Sequence, residues 1–260
     1  MKYKTSYASK KAVVKNLLFW KKVALLVISL LTVVGFLFLI SSNAFRRVGK
    51  KAYYSVQRSL PGADRDITIK LSVPIHKQEH ALSCEIATLK MVLDYYGHDV
   101  SESELLGHLM FATHEPRNKD DNTWADPNLG FVGDIDGSMP NSGYGVYEMP
   151  ISYVGDIYRA SGAYKNATVK QILEEVKNSH PVIIWGTTGK VRDISWKTPG
   201  GKDIHAVMGE HTKVVIGYSG TIENPRRIYL IDPVYGEISM SLEEFIEDWG
   251  YLGNRAVIVY

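Results

Sequence analysis

Apolar residues fall in two periods along this chain, and the periods change with the segment. Ile86, Leu89, Leu93 and Tyr96 recur every three or four positions and predict a helix over Ser83–Tyr96, with Ser83 as N-cap and Gly97 as its stop. Ser101 followed by Glu104 predicts a second helix to Met110. Thr168 with Gln171 opens a third, to about Asn178, and Ser241 with Glu244 a fourth, to Trp249. Short β-rich runs predict strands at Ile67–Leu71, Pro181–Gly186, His211–Tyr218, Arg227–Asp232 and Ala256–Tyr260. Between Phe111 and Ala163 the chain is rich in Gly, Pro, Asn, Asp and aromatics, which predicts a long irregular insertion with a binding role. Helices first and strands later predict an α+β domain whose two halves meet at a cleft.

One stretch has no period at all. Val23–Ile40 is 18 residues without a charge, bracketed by Lys21-Lys22 and Arg46-Arg47, with Trp20 and Phe45 at its ends. As a helix it spans about 27 Å, near one bilayer core. A cleaved leader ending at Ser42-Asn43-Ala44 is the competing reading, but the apolar run is long for one. The expected organisation is a basic tail over 1–22, an anchor over 23–45, a juxtamembrane stalk over 46–70 and a domain over 71–260. Pro61-Gly62-Ala63-Asp64 reads as a turn in the stalk.

Charge sharpens that division. The net charge of +2 hides eleven Lys and Arg and no Asp or Glu in residues 1–51, which leaves nineteen bases against 28 acids in the rest. An acidic body excludes nucleic acid as the expected partner, because phosphate contacts need clustered cations. The basic excess on the N-terminal side of the apolar run favours a single-pass protein of the cell membrane with its domain extracytoplasmic.

Cys84 is the sole cysteine, so no disulfide forms within one copy. It falls at the first position of the predicted helix, where free N–H groups and the helix dipole stabilise a thiolate. His211 opens one predicted strand and Asp232 closes the next. If the two pair antiparallel, the carboxylate lies beside the imidazole and orients it. Gln78, six residues before the cysteine, is a candidate oxyanion donor alongside the Cys84 backbone N–H. His205 is a rival base in a stretch that reads as loop. His76-Lys77-Gln78-Glu79-His80 has the order of an inverted zinc-protease motif, but Pro74 favours extended chain there, so no metal is expected. Asp134-Ile135-Asp136-Gly137 reads as a solvated turn rather than a calcium loop. Gly186-Thr187-Thr188-Gly189-Lys190 lacks phosphate-loop spacing.

These residues resemble a known family. Val73-Pro74-Ile75, Gln78, Cys84, Met91 and Leu93-Asp94-Tyr95-Tyr96-Gly97 look like the start of a peptidase C39-like domain. His211 with Gly217-Tyr218, then Asp232-Pro233, look like its later blocks. Trp124-Ala125-Asp126-Pro127-Asn128 with Gly130-Phe131-Val132-Gly133 resembles the middle loop of the stand-alone bacterial branch, anchored or secreted. The resemblance covers about Leu71 to Tyr260. It implies a papain-like fold and a Cys84–His211–Asp232 triad, with Gln78 in the oxyanion hole. It implies no cofactor, and a peptide or protein substrate. Glu85 departs from the Gly that follows the cysteine in transporter-linked members, and a carboxylate there opposes the thiolate. The expected function is a membrane-anchored thiol hydrolase acting on a peptide or amide bond, with segment 124–148 lining its groove. The alternatives are an amidase or acyl transferase using the same triad, and a non-catalytic extracytoplasmic binding module.

Overall fold

The structure is a computed structural model, and it describes residues 67–260, with Ser29 and Thr32 alone ahead of them. The expected anchor over 23–45 and most of the stalk lie outside the described residues. Among the described residues no helix is long and apolar enough to cross a membrane.

A seven-stranded antiparallel sheet organises the domain. Its strands are β1 (Ile67–Lys70), β5 (Ser161–Tyr164), β6 (Val182–Lys197), β7 (Asp203–Gly220), β8 (Pro225–Asp232), β9 (Gly236–Ser241) and β10 (Ala256–Val259). They run in the order β5-β10-β6-β7-β8-β9, and β1 pairs with β7. Helices cover both faces. On one lie α1 (Cys84–Tyr95), α2 (Glu102–His108) and α3 (Glu148–Asp156); on the other lie α4 (Val169–Lys177) and α5 (Leu242–Gly250). Because both faces are buried, successive strand residues are apolar and alternate between two cores. Ile183, Val214, Ile231 and Val257 join Ile86 and Leu89 of α1, whereas Ile184, Val215, Leu230 and Ala256 join Leu173 of α4 and Phe245 of α5.

The four expected helices follow their sequence signals closely, whereas α3 was not expected. Thr168/Gln171 and Ser241/Glu244 both form complete capping boxes, and the Ser101 side chain accepts from the Glu104 backbone N–H. The exception is Ser83. It holds the N-cap position of α1 without capping it, and its hydroxyl instead accepts from the His80 backbone N–H at 3.1 Å.

Three expectations need correction. The mixed α/β composition holds, but one sheet between helical layers replaces two halves meeting at a cleft. Residues 67–70 belong to that sheet rather than to a stalk, since Ile69 pairs with Tyr218 and Lys70 with Gly217. The segment after Phe111 is mostly irregular, as expected, but it carries short regular elements. It forms a small sheet of β2 (Phe111–Thr113), β3 (Phe131–Gly133) and β4 (Gly143–Gly145), followed by α3 and β5. Its aromatics are core rather than groove lining. Trp124, Phe131, Tyr144 and Tyr147 are buried, and Tyr144 meets Trp196 of β6 edge-on at 5.2 Å.

Candidate active site around Cys84 and His211

Helix α1 begins at Cys84 and docks on β7. The docking fixes what each strand residue faces. Alternation turns Glu210, Thr212 and Val214 towards α1, and His211, Lys213 and Val215 towards α5. The buried Thr88 hydroxyl ties the two elements together at 3.1 Å from the Thr212 hydroxyl.

His211 and Asp232 come together as the strand register predicts. The imidazole Nε2 lies 3.1 Å from Asp232 Oδ1, with both side chains buried. The ring N–H is not aligned on that oxygen, so the contact is one of charge and proximity rather than a linear hydrogen bond. The carboxylate is held firmly, accepting from the backbone N–H of Val234 at 2.7 Å and of Tyr235 at 3.1 Å. Burial alone would raise its pKa, but the His211 and Lys213 charges and these bonds hold it below the ordinary value.

Gln78 sits beside the same turn, its backbone N–H bonded to the Pro233 carbonyl at 3.1 Å. Its side-chain amide is committed elsewhere. Nε2 donates to the His80 carbonyl at 2.8 Å and to the Ala81 carbonyl at 3.1 Å, which uses both hydrogens, while Oε1 is buried without a partner. The rival His205 is exposed on the outer arm of β7, which is strand rather than loop. The zinc-protease order also comes apart, since His76 meets Glu102 and His80 meets Asp136.

Cys84 keeps different company from His211. Its thiol donates to Glu85 Oε2 at 3.3 Å, with Thr212 as its second hydrogen-bonding partner. Glu85 does not point away from the thiol. It is buried, and its Oε1 accepts from the Val146 backbone N–H at 2.7 Å. Glu210 shares this space, and its Oε1 is buried without a partner. Only a glycine fits opposite: a Cβ at Gly145 (φ 142°) would lie 2.6 Å from Glu85 Oε1 and 2.8 Å from Glu210 Oε2. The arrangement therefore joins His211 with Asp232 on one face of β7, and Cys84 with Glu85 and Glu210 on the other.

The electrostatics follow from that grouping. Burial raises the Glu85 pKa to about 7. Burial and then Glu85 push Glu210 well above the ordinary range, so both carboxyls favour the protonated form. Burial, then Glu85, then Glu210 push the Cys84 thiol up, overriding the helix terminus. Glu85→Gln keeps an acceptor for Val146 and offers the sulfur an N–H in place of a carboxylate. It is expected to speed alkylation of Cys84 at neutral pH by about tenfold per unit of lowered pKa. An unchanged pH profile of alkylation would leave burial and Glu210 as the controls.

Sequence reasoning flagged Glu85 but missed Glu210. The signal was available: in a strand, the residue before His211 faces the other side, which here is the side that α1 covers.

Known proteins share this fold. The sequence profile of the peptidase C39-like family matches residues 70–257. The chain belongs to that family. It is 26% identical over 210 residues to the uncharacterized protein YvpB of Bacillus subtilis, covering 78% of this chain and 79% of YvpB. A crystal structure described as a putative C39-like peptidase from Bacillus anthracis superposes with a TM-score of 0.64 at 26% identity, covering 76% of this chain and 98% of the other. Membership supports a peptidase-like function for this C39-like domain.

Proposed function

We propose that this C39-like domain is a thiol hydrolase acting on a peptide or amide bond. Cys84 attacks the carbonyl, His211 carries the proton and Asp232 holds His211. Gln78 and the Cys84 backbone N–H are the oxyanion donors, and the substrate is a peptide or protein. A papain-like construction of the domain goes with this reading. The observation that carries it is the buried 3.1 Å contact of His211 with Asp232, one strand position from the threonine that bonds the thiol.

In this reading the described arrangement is a resting one. The thiol is parked on Glu85, the imidazole faces the opposite side of β7, and the Gln78 amide is held by its own loop. Attack requires a local turn of β7 near residue 210. Gly209 stands at that point with φ of 89°, and the β6–β7 pairing lapses between Thr187 and Arg192. The 18-residue apolar run would fix the domain to the outer face of the cell membrane. Protease treatment of intact cells tests that placement, and a fully protected domain would refute it.

The burial of the thiol between two carboxyls favours a second reading, a domain that binds without catalysing. Alkylation of Cys84 across pH separates the two. Catalysis through the turned state, in which the imidazole reaches the thiol and draws its proton, predicts that His211→Ala slows alkylation at neutral pH by about tenfold or more. A reaction with its inflection at or above the free-thiol value of about 8.5, and indifferent to His211→Ala, would leave the binding domain. The same triad also suits an amidase or acyl transferase, which product analysis distinguishes.

A further inference from the structure

The zinc-protease order around Gln78 came apart at His80, but half of it is rebuilt with another residue. The His76 ring Nε2 lies 2.8 Å from Glu102 Oε1 and 3.7 Å from Glu79 Oε1. The three side chains can each offer one ligand atom, all within 4.8 Å of one another. Glu102 is the first residue of α2, and its side chain is fully buried. Its two oxygens are treated unequally. Oε1 takes the His76 ring and the Glu79 backbone N–H at 3.1 Å, while Oε2 is buried with no hydrogen-bond partner.

A buried carboxylate with one oxygen unpartnered is costly, and the usual remedies are a donor or a cation. His76 and Glu79 keep 20% and 52% of their side chains exposed, so the cluster has an entry path from solvent. The Cys84–Glu85–Glu210 cluster, the other such grouping among the described residues, is buried throughout and has none. One imidazole and two carboxylates suit a borderline divalent ion such as Zn2+, with ligand bonds of about 2.0–2.2 Å and a fourth position left open. Such bonds put ligand atoms roughly 3–3.5 Å apart, and the observed 2.8 and 3.7 Å bracket that spacing.

We propose that His76, Glu79 and Glu102 bind one divalent transition-metal ion of the Zn2+ type, which fastens the loop carrying Gln78 to α2. The ion takes the place of the His76–Glu102 hydrogen bond, takes up the unpartnered carboxylate oxygen, and closes the loop from its exposed side. Gln78 stands between two of the ligands, and its backbone N–H holds the Pro233 carbonyl. The ion therefore stiffens the approach to Asp232 whether or not the domain is a peptidase.

Zn2+ alone, titrated calorimetrically into the chelator-treated full chain, tests this. One equivalent is expected to bind and to raise the thermal unfolding midpoint. His76→Ala and Glu79→Gln are expected to weaken binding by about tenfold or more each. Cys84→Ser is expected to leave it unchanged. Both His76 and Glu79 are partly exposed, so these variants avoid the folding risk of changing Glu102. No binding to the full chain, binding that survives both variants, or binding lost with Cys84→Ser would each overturn the site.

Discussion

Asp248→Ala is expected to destabilise the domain by about 3–5 kcal/mol, because it strands a buried ammonium. Lys213 has 2% of its side chain exposed and gives its Nζ to Asp248 Oδ2 at 2.7 Å and to the Thr187 carbonyl at 3.0 Å. The other oxygen of Asp248 accepts from the Thr187 backbone N–H at 2.9 Å and from its hydroxyl at 2.8 Å. One carboxylate thus joins α5 to β6 and β7, two residues along the strand from His211 and on the same face. Removing it also leaves the Lys213 charge beside Asp232 without its main partner. Replacing both ends, as in Lys213→Met with Asp248→Leu, is expected to recover most of the loss, since the cost comes from the unpaired charge rather than from the missing bond. Urea unfolding of the three proteins measures this. A single variant that loses less than about 1 kcal/mol would mean that Lys213 escapes to solvent.

What the sequence made legible, and what it hid, follows from which side chains carry the signal. Capped helices were readable because Ser241/Glu244 and Thr168/Gln171 act within one turn. Buried strand centres were readable because Val182–Trp185 and Val214–Ile216 are apolar on both faces. The outer arm of β6 and β7 was not. From Thr188 to Lys197 and from Asp203 to His205 its side chains are mostly exposed and polar, and only the long antiparallel pairing makes it strand. The small sheet failed for a related reason. Gly143-Tyr144-Gly145 and Phe131-Val132-Gly133 are three residues each, too short to show a period, and they exist because Trp124 and Trp196 draw the segment onto the arm.

The candidate site divided the same way. Its two ends were readable because His211 lies in one strand and Asp232-Pro233 ends the next. The face that each residue takes was not, because His211 is not the start of its strand. β7 begins eight residues earlier, at Asp203. With the strand running through His211, Glu210 and Thr212 turn towards α1, and the thiol meets a carboxyl pair that no local motif announces. Ser83 compounds this: by accepting from His80 it leaves the helix terminus uncapped by its own side chain.

That carboxyl pair dictates how stability responds to pH. Glu85 titrates near 7 in the folded domain, against 4.5 when free of its surroundings. Between those values the folded chain holds a proton that the unfolded chain has released. Folding stability is then greatest below about pH 4.5 for this group and falls as pH rises towards 7. The loss amounts to about 3 kcal/mol, and Glu210, shifted in the same direction, extends it upwards. Asp232 acts oppositely but in a lower window: its folded pKa is depressed, so its contribution is lost only as pH falls below the ordinary carboxylate range. Urea unfolding at a series of pH values is expected to show the domain more stable near pH 5 than near pH 8. Glu85→Gln with Glu210→Gln is expected to flatten that slope. Stability that stays level or climbs across the window would mean that both carboxylates ionise freely where they stand. The same ionisation links stability to the thiol. A neutral Glu85 accepts the S–H without opposing charge, whereas an ionised pair makes this side of β7 the less stable one. Rising pH therefore weakens the resting arrangement in the range where Cys84 would have to leave it.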